Sequence, residues 1–109
     1  MKFYVAAKRW LKDEVGEIYR KIQEKGHEIT EDWTKHPLIE PYDKNEEISE
    51  ELSMKDMDGV RNSDIFVLLT NEDGIGMYVE LGMAIMSKIH KGKPRRVYVI
   101  GNKLGRSMF

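Results

Sequence analysis

The sequence predicts a single α/β domain built on a parallel sheet, and three observations predict it. Short apolar runs at residues 3–7, 65–69 and 97–100 have the length and continuity of strands covered on both faces. Longer segments between them carry apolar residues every three or four positions, the period of a helix packed along one side. Glycine and polar residues punctuate the joints, at Gly26, across 71–76 and at Gly92.

Each element follows in order. Residues 3–7 are the first strand, and residues 8–12 break it as a basic, Trp-bearing loop. Asp13 is placed to cap a helix on which Val15, Ile18, Tyr19 and Ile22 share a face, and Gly26 closes it. Residues 27–33 read as a second strand with Ile29 as its buried residue. Residues 34–44 carry Pro37 and Pro41 without periodicity and read as a loop. Asn45 caps the next helix, which runs to about Asn62. Residues 65–69 form the strongest strand and the expected centre of the sheet. A polar turn at 71–76 leads into a helix ending near His90, and residues 97–100 are the fourth strand. Alternating strands and helices with right-handed crossovers place strand one between strands two and three. That is a flavodoxin-like or Rossmann-like three-layer sandwich with a parallel sheet of four to five strands. Ligands of such sheets sit beyond the carboxyl ends of the strands, here residues 6–10 and 71–76.

Composition bounds the function. A chain of 109 residues is one domain, residues 1–109, and 34% charged with 40% hydrophobic residues is a globular balance. A net charge of −1 gives no pull toward polymeric nucleic acid or an acidic membrane. The absence of cysteine excludes disulfides and thiolate metal sites, and His27, His36 and His90 lack metal-ligand spacing. No metal and no cofactor is therefore expected. The first apolar run is too short for a signal peptide or a membrane span, so a cytoplasmic location is expected.

Two carboxylates stand where apolar residues belong. The helix after the 71–76 turn carries Met77, Val79, Leu81, Met83, Ala84, Ile85, Met86 and Ile89, with Glu80 as its single acid. An acid near a helix start complements the helix dipole, which is the bland reading of Glu80. So apolar a circumference also exceeds what one sheet covers, and a homodimer or higher homo-oligomer is expected. In the preceding helix, Ile48, Leu52, Asp56 and Val60 follow at i+4 spacing, which centres Asp56 on the core-facing stripe. A salt bridge to Lys55 or Arg61 would explain it structurally; otherwise it lines a polar cavity. Paired carboxylates at a pocket suit glycosidic chemistry, one attacking the anomeric carbon while the other orients hydroxyls or moves protons.

The segment Gly76-Met77-Tyr78-Val79-Glu80-Leu81-Gly82 resembles the Gly-x-x-x-Glu-Leu-Gly signature of the nucleoside 2-deoxyribosyltransferase superfamily, which includes the deoxynucleoside 5′-monophosphate N-glycosidases. Asn62-Ser63-Asp64-Ile65-Phe66-Val67-Leu68 resembles the Ala-Asp-strand segment that precedes the signature, and Asp56 falls at the family's sugar-binding Asp. The resemblance implies a Rossmann-like fold, oligomers that complete each other's sites, and a nucleoside or nucleotide substrate. It implies Glu80 as a nucleophile forming a glycosyl-enzyme intermediate, with Asp56 holding the sugar and assisting leaving-group protonation. It further implies that the first loop, from Ala6 through Arg9 to Trp10, meets the substrate, with Arg9 at the family's basic position. Gly74 stands where relatives carry Ser or Asp, with Asp73 adjacent, and Gly76 completes that turn. Ser107 lies near where a neighbouring subunit contributes a Ser. Read alone, Lys8 and Arg9 are solvated cations, and Trp10 is either a surface aromatic or a platform for a base.

Two rival functions fit the same fold. One is a non-catalytic nucleotide-binding or sensor module. The other keeps Glu80 but takes NAD as substrate, as in the distantly similar Toll/interleukin-receptor-like NAD hydrolases.

Overall fold

The computed structural model describes residues 1–37, 44–71 and 75–101. Along the chain run β1 (Lys2–Ala6), α1 (Lys12–Glu24), β2 (Glu28–Ile29), α2 (Glu46–Asn62), β3 (Ile65–Leu69), α3 (Gly76–Lys91) and β4 (Arg96–Ile100). Single 3-10 turns occupy Arg9–Leu11 and Trp33–Lys35. The sheet is wholly parallel, in the order β2-β1-β3-β4. This is the flavodoxin-like arrangement expected from the crossovers, with β1 and β3 both interior. Asp73, Gly74 and Ser107 lie outside the described residues, as does Pro41.

The two faces of the sheet are covered unequally. Tyr4 and Ala6 of β1 and Phe66 and Leu68 of β3 share one face, and all four are fully buried. On it α2 and α3 pack against each other and against β1. Tyr4 pairs with Phe66 in register, and their rings stack at 5.9 Å between centroids. The opposite face carries α1, whose Val15 and Tyr19 are buried with Val5 of β1.

Local details depart from the expected element bounds for physical reasons. Asp13 is not a cap: α1 begins one residue earlier, with Leu11 at the N-cap, and Asp13 lies in the first turn. The basic loop contains the 3-10 turn Arg9–Leu11. The second strand keeps only Glu28–Ile29 of the expected seven-residue span. Beyond Thr30, whose N–H bonds the Phe3 carbonyl, β1 has no strand on that side among the described residues. Side chains take over there. The Tyr19 hydroxyl accepts from the Val5 N–H at 3.0 Å, and the Trp33 indole donates to the Val5 carbonyl at 2.7 Å. Trp33 thus serves the edge of β1 from a 3-10 turn, not from a strand.

Two glycines shape the scaffold. Gly26 adopts φ 84° just past the end of α1, where an L-residue would be strained. Gly59 lies where α2 crosses β1, and a Cβ there would come within 3.1 Å of the Tyr4 ring and 2.8 Å of the Glu31 Cβ. Its missing side chain lets α2 settle onto Tyr4. At the amino end of the sheet, Asp64 accepts a hydrogen bond from the Lys2 N–H at 2.8 Å, and its carbonyl accepts from the Arg95 N–H. The Lys2 bond and Lys93 hold the Asp64 carboxyl below its ordinary range. Asp64 is therefore a clamp at the end of the strands remote from the site. Among the described residues no helix is long and apolar enough to cross a membrane.

Candidate active site

Glu80 is the fifth residue of α3, beyond the first turn, where the pull of the helix dipole has faded. Dipole compensation therefore does not account for it. Its side chain turns inward beneath the sheet, where the Tyr4 hydroxyl donates a hydrogen bond to the carboxylate. Burial pushes the Glu80 carboxyl up to about 7; the Tyr4 bond opposes that rise, and the charge of Asp56 adds to it.

Asp56 sits at the other side of the same hydroxyl. Of the expected stripe on α2, Val60 is buried and Ile48 is exposed, so the stripe dips into the core toward its carboxyl end and carries Asp56 with it. Lys55 and Arg61 do not neutralise it: Lys55 lies 3.6 Å from Glu51, and Arg61 lies 2.7 Å from Asp58. The Asp56 Oδ1 is buried without a hydrogen-bond partner among the described residues, and His36 Nδ1 lies 3.8 Å from it. Burial first, and Glu31 in addition, push the carboxyl up to about 6, while His36 and a hydrogen bond with Tyr4 hold it down.

Tyr4 thus lies between two carboxyl groups that both bind protons more tightly than free side chains. Burial, with Glu80 and Asp56 beside it, raises the phenol well above its usual value, so Tyr4 remains a donor and does not act as a base. A hydroxyl has one proton to give and lone pairs to receive. When it donates to ionised Glu80, its oxygen is left to accept from protonated Asp56. The arrangement favours one ionised and one protonated carboxyl. With Asp56 at about 6 and Glu80 at about 7 the proton rests mainly on Glu80. The reverse form, Glu80 ionised and Asp56 protonated, is the one that a nucleophile and a general acid require.

Compared with family models, with curated proteins and with solved structures, the chain matches none.

The remaining candidates fall differently. Ala6 ends β1, fully buried and two residues beyond Tyr4 on the same face. Arg9 donates to the His36 carbonyl at 2.6 Å, which ties the first loop to the turn beside Asp56. Trp10 is 78% exposed with the Lys8 ammonium 5.5 Å from its ring centre, so it is not drawn into the carboxylate cluster. Gly76 opens α3, exposed and with space around it. The sequence reading set His36 aside and did not single out Tyr4 or Glu31 at all. Glu31, His36 and Asp56 present ligand atoms within 4.8 Å of one another. Yet the imidazole offers Nε2 to Glu31 and Nδ1 to Asp56, so an ion on one ring nitrogen meets one carboxylate readily and the other only after rearrangement. A groove of about 450 Å³ between β2 and α2 shares Glu31 but none of Tyr4, Asp56 and Glu80. Lysines and acids mix along its walls, which gives it no defined ligand charge.

Proposed function

We propose that this protein cleaves or transfers the N-glycosidic bond of a nucleoside or nucleotide, with 2′-deoxyribose as the expected sugar. The observation that carries the reading is the array Glu80–Tyr4–Asp56: two buried-side carboxyls of raised proton affinity sharing one phenol. The resemblance of residues 76–82 to the deoxyribosyltransferase signature supports it.

In this mechanism the ionised Glu80 attacks the anomeric carbon. The bond from that carbon to the base nitrogen breaks, its electron pair leaves with the base, and Asp56 supplies the proton that the base takes up. The glycosyl ester on Glu80 is then opened by water or by a second base, whose proton returns to Asp56. Arg9, whose guanidinium donates to the His36 carbonyl, is the group we propose to meet a 5′-phosphate. The exposed outer face of α3 is proposed as the contact between subunits.

The decisive experiment is a panel of nucleosides, nucleotides and NAD scored by chromatography for released base. Wild-type protein should release base from at least one nucleoside or nucleotide, and Glu80→Gln should lose that activity by several orders of magnitude while remaining folded. Release of nicotinamide alone would redirect the substrate to NAD. Tight binding of an intact nucleotide, unaffected by Glu80→Gln, would identify a sensor module instead.

A further inference from the structure

His36 is held by a scaffold more elaborate than a surface histidine needs. The Trp33–Lys35 turn that precedes it is pinned to β1 by the Trp33 indole, and Asp32 caps it by accepting from the Thr34 N–H at 3.0 Å. The His36 N–H bonds the Trp33 carbonyl at 3.0 Å, and Arg9 holds the His36 carbonyl at 2.6 Å. The side chain is only 13% exposed. One nitrogen, Nε2, lies 2.8 Å from Glu31 Oε1, and the other faces the Asp56 Oδ1, which has no hydrogen-bond partner among the described residues. A carboxylate on one side of an imidazole fixes its orientation and its tautomer, and so decides what the other nitrogen presents.

We propose that Glu31 and His36 form a positioning pair that orients Asp56 toward Tyr4 and sets how firmly Asp56 holds its proton. Glu31 keeps a proton on Nε2, which leaves Nδ1 turned toward Asp56. The two groups stand 3.8 Å apart, so a small approach lets the neutral ring's Nδ1 accept from protonated Asp56, or the charged ring's Nδ1–H donate to the carboxylate. Either way Asp56 is aimed at the array and never left as an isolated buried charge. The groups that face Asp56 are Tyr4 from β1, Glu80 from α3, Glu31 after β2 and His36 after the 3-10 turn, with Tyr19 of α1 also within its field. Of these, His36 alone can carry positive charge, so its removal has a distinctive sign. This inference rests on the glycosidic reading for its consequence in catalysis but not for its test.

Carbon-13 NMR of the Asp56 carboxyl in the free protein reads the pair directly. His36→Gln keeps a polar side chain of similar reach and should move the Asp56 midpoint upward by about half a unit or more. Glu31→Gln should move it downward, and this second variant decides the matter if His36→Gln does not fold. On an active substrate, His36→Gln should lower kcat about tenfold with KM nearly unchanged, and the alkaline limb of its pH profile should move up with the NMR midpoint. A purely structural histidine would lower apparent kcat through loss of folded protein, with KM unchanged, but would leave the limb in place. If both variants leave the Asp56 midpoint where it is in wild type, the pair does not act on Asp56 and the proposal fails. If no panel compound releases base, the glycosidic reading falls, while the NMR shifts still decide whether the pair governs Asp56.

Discussion

Tyr4 and Glu80, 76 positions apart in the chain, are joined by a hydrogen bond from phenol to carboxylate. The bond crosses from β1 to α3, and it exists because Gly59 lets α2 pack against the Tyr4 ring while Phe66 holds that ring flat from the next strand. The aromatic body is core and the hydroxyl is chemistry, so one residue carries both demands.

Tyr4→Phe separates them. The ring and its stacking on Phe66 stay, so folding should change little. Glu80 loses a charge-assisted hydrogen bond worth roughly 1.5–3 kcal/mol, and its proton affinity, already raised, should rise further. Turnover near neutral pH should therefore fall about 10- to 100-fold and recover in part as the pH is raised. Loss of activity with no such recovery would mean that the hydroxyl touches substrate and does not tune Glu80.

The pH profile of kcat/KM should be bell-shaped. Glu80 must be ionised to attack, and Asp56 must be protonated to serve the leaving base. With midpoints of about 7 and about 6, the pair holds a single shared proton chiefly between those values, mostly on Glu80. The reactive minority with Glu80 ionised and Asp56 protonated is most abundant in the same interval. Activity should peak in that interval and fall on both sides, the limbs belonging to the pair and not to either residue. A profile flat from about pH 5 to about pH 9 would count against paired carboxyl catalysis.

The fold was legible wherever one local signal dominated. The bounds of α2 and β3 match the sequence reading because an Asn at the N-cap position, a helical apolar period and an unbroken apolar run each point one way, although the Asn45 side chain makes no capping bond. Glu80 and Asp56 stood out because a charge interrupts an apolar pattern that should exclude it. Tyr4 did not, since a phenol in a buried strand reads as core and indeed is core. Only the approach of α3 distinguishes its hydroxyl, and that is tertiary information. His36 and Glu31 gain meaning the same way, from a turn pinned by Trp33 that no local period announces. The second strand was expected to run through Trp33, but there the indole takes over the bond that a strand would have made.

Self-association should run through α3 and β4. Met77 and Ala84 of α3 are buried, but Val79 at 59%, Met86 at 52% and Ile89 at 69% exposure form an outward apolar face. On β4, Tyr98, Val99 and Ile100 are exposed as well, at an edge of the sheet among the described residues. Such a surface is more apolar than a monomer usually tolerates. Sedimentation should find a dimer or larger species, and Val79→Glu with Met86→Glu should shift it toward monomer. A wild-type monomer at high micromolar concentration would contradict this.

Asp56→Asn tests whether that carboxyl is kept for function at a cost in stability. Its folded value of about 6 stands above the ordinary 3.8, so the folded protein binds the proton more tightly than the unfolded chain. Stability from this group is therefore present at low pH and lost as the pH rises between those two values, the loss being complete above about 6. Asn carries no charge to desolvate, so the variant should be more stable than wild type by roughly 1–3 kcal/mol at about pH 8 and should show no advantage at about pH 4. Turnover should fall sharply at both, because an amide cannot give a proton to the departing base. A structural ion pair with His36 predicts the reverse: removing one partner would destabilise the protein by roughly 3–5 kcal/mol at neutral pH. Denaturant melts at the two pH values, run beside the base-release assay, separate these outcomes. An Asp56→Asn protein that is less stable at alkaline pH yet fully active per folded molecule would make Asp56 a structural residue and leave Glu80 without its acid.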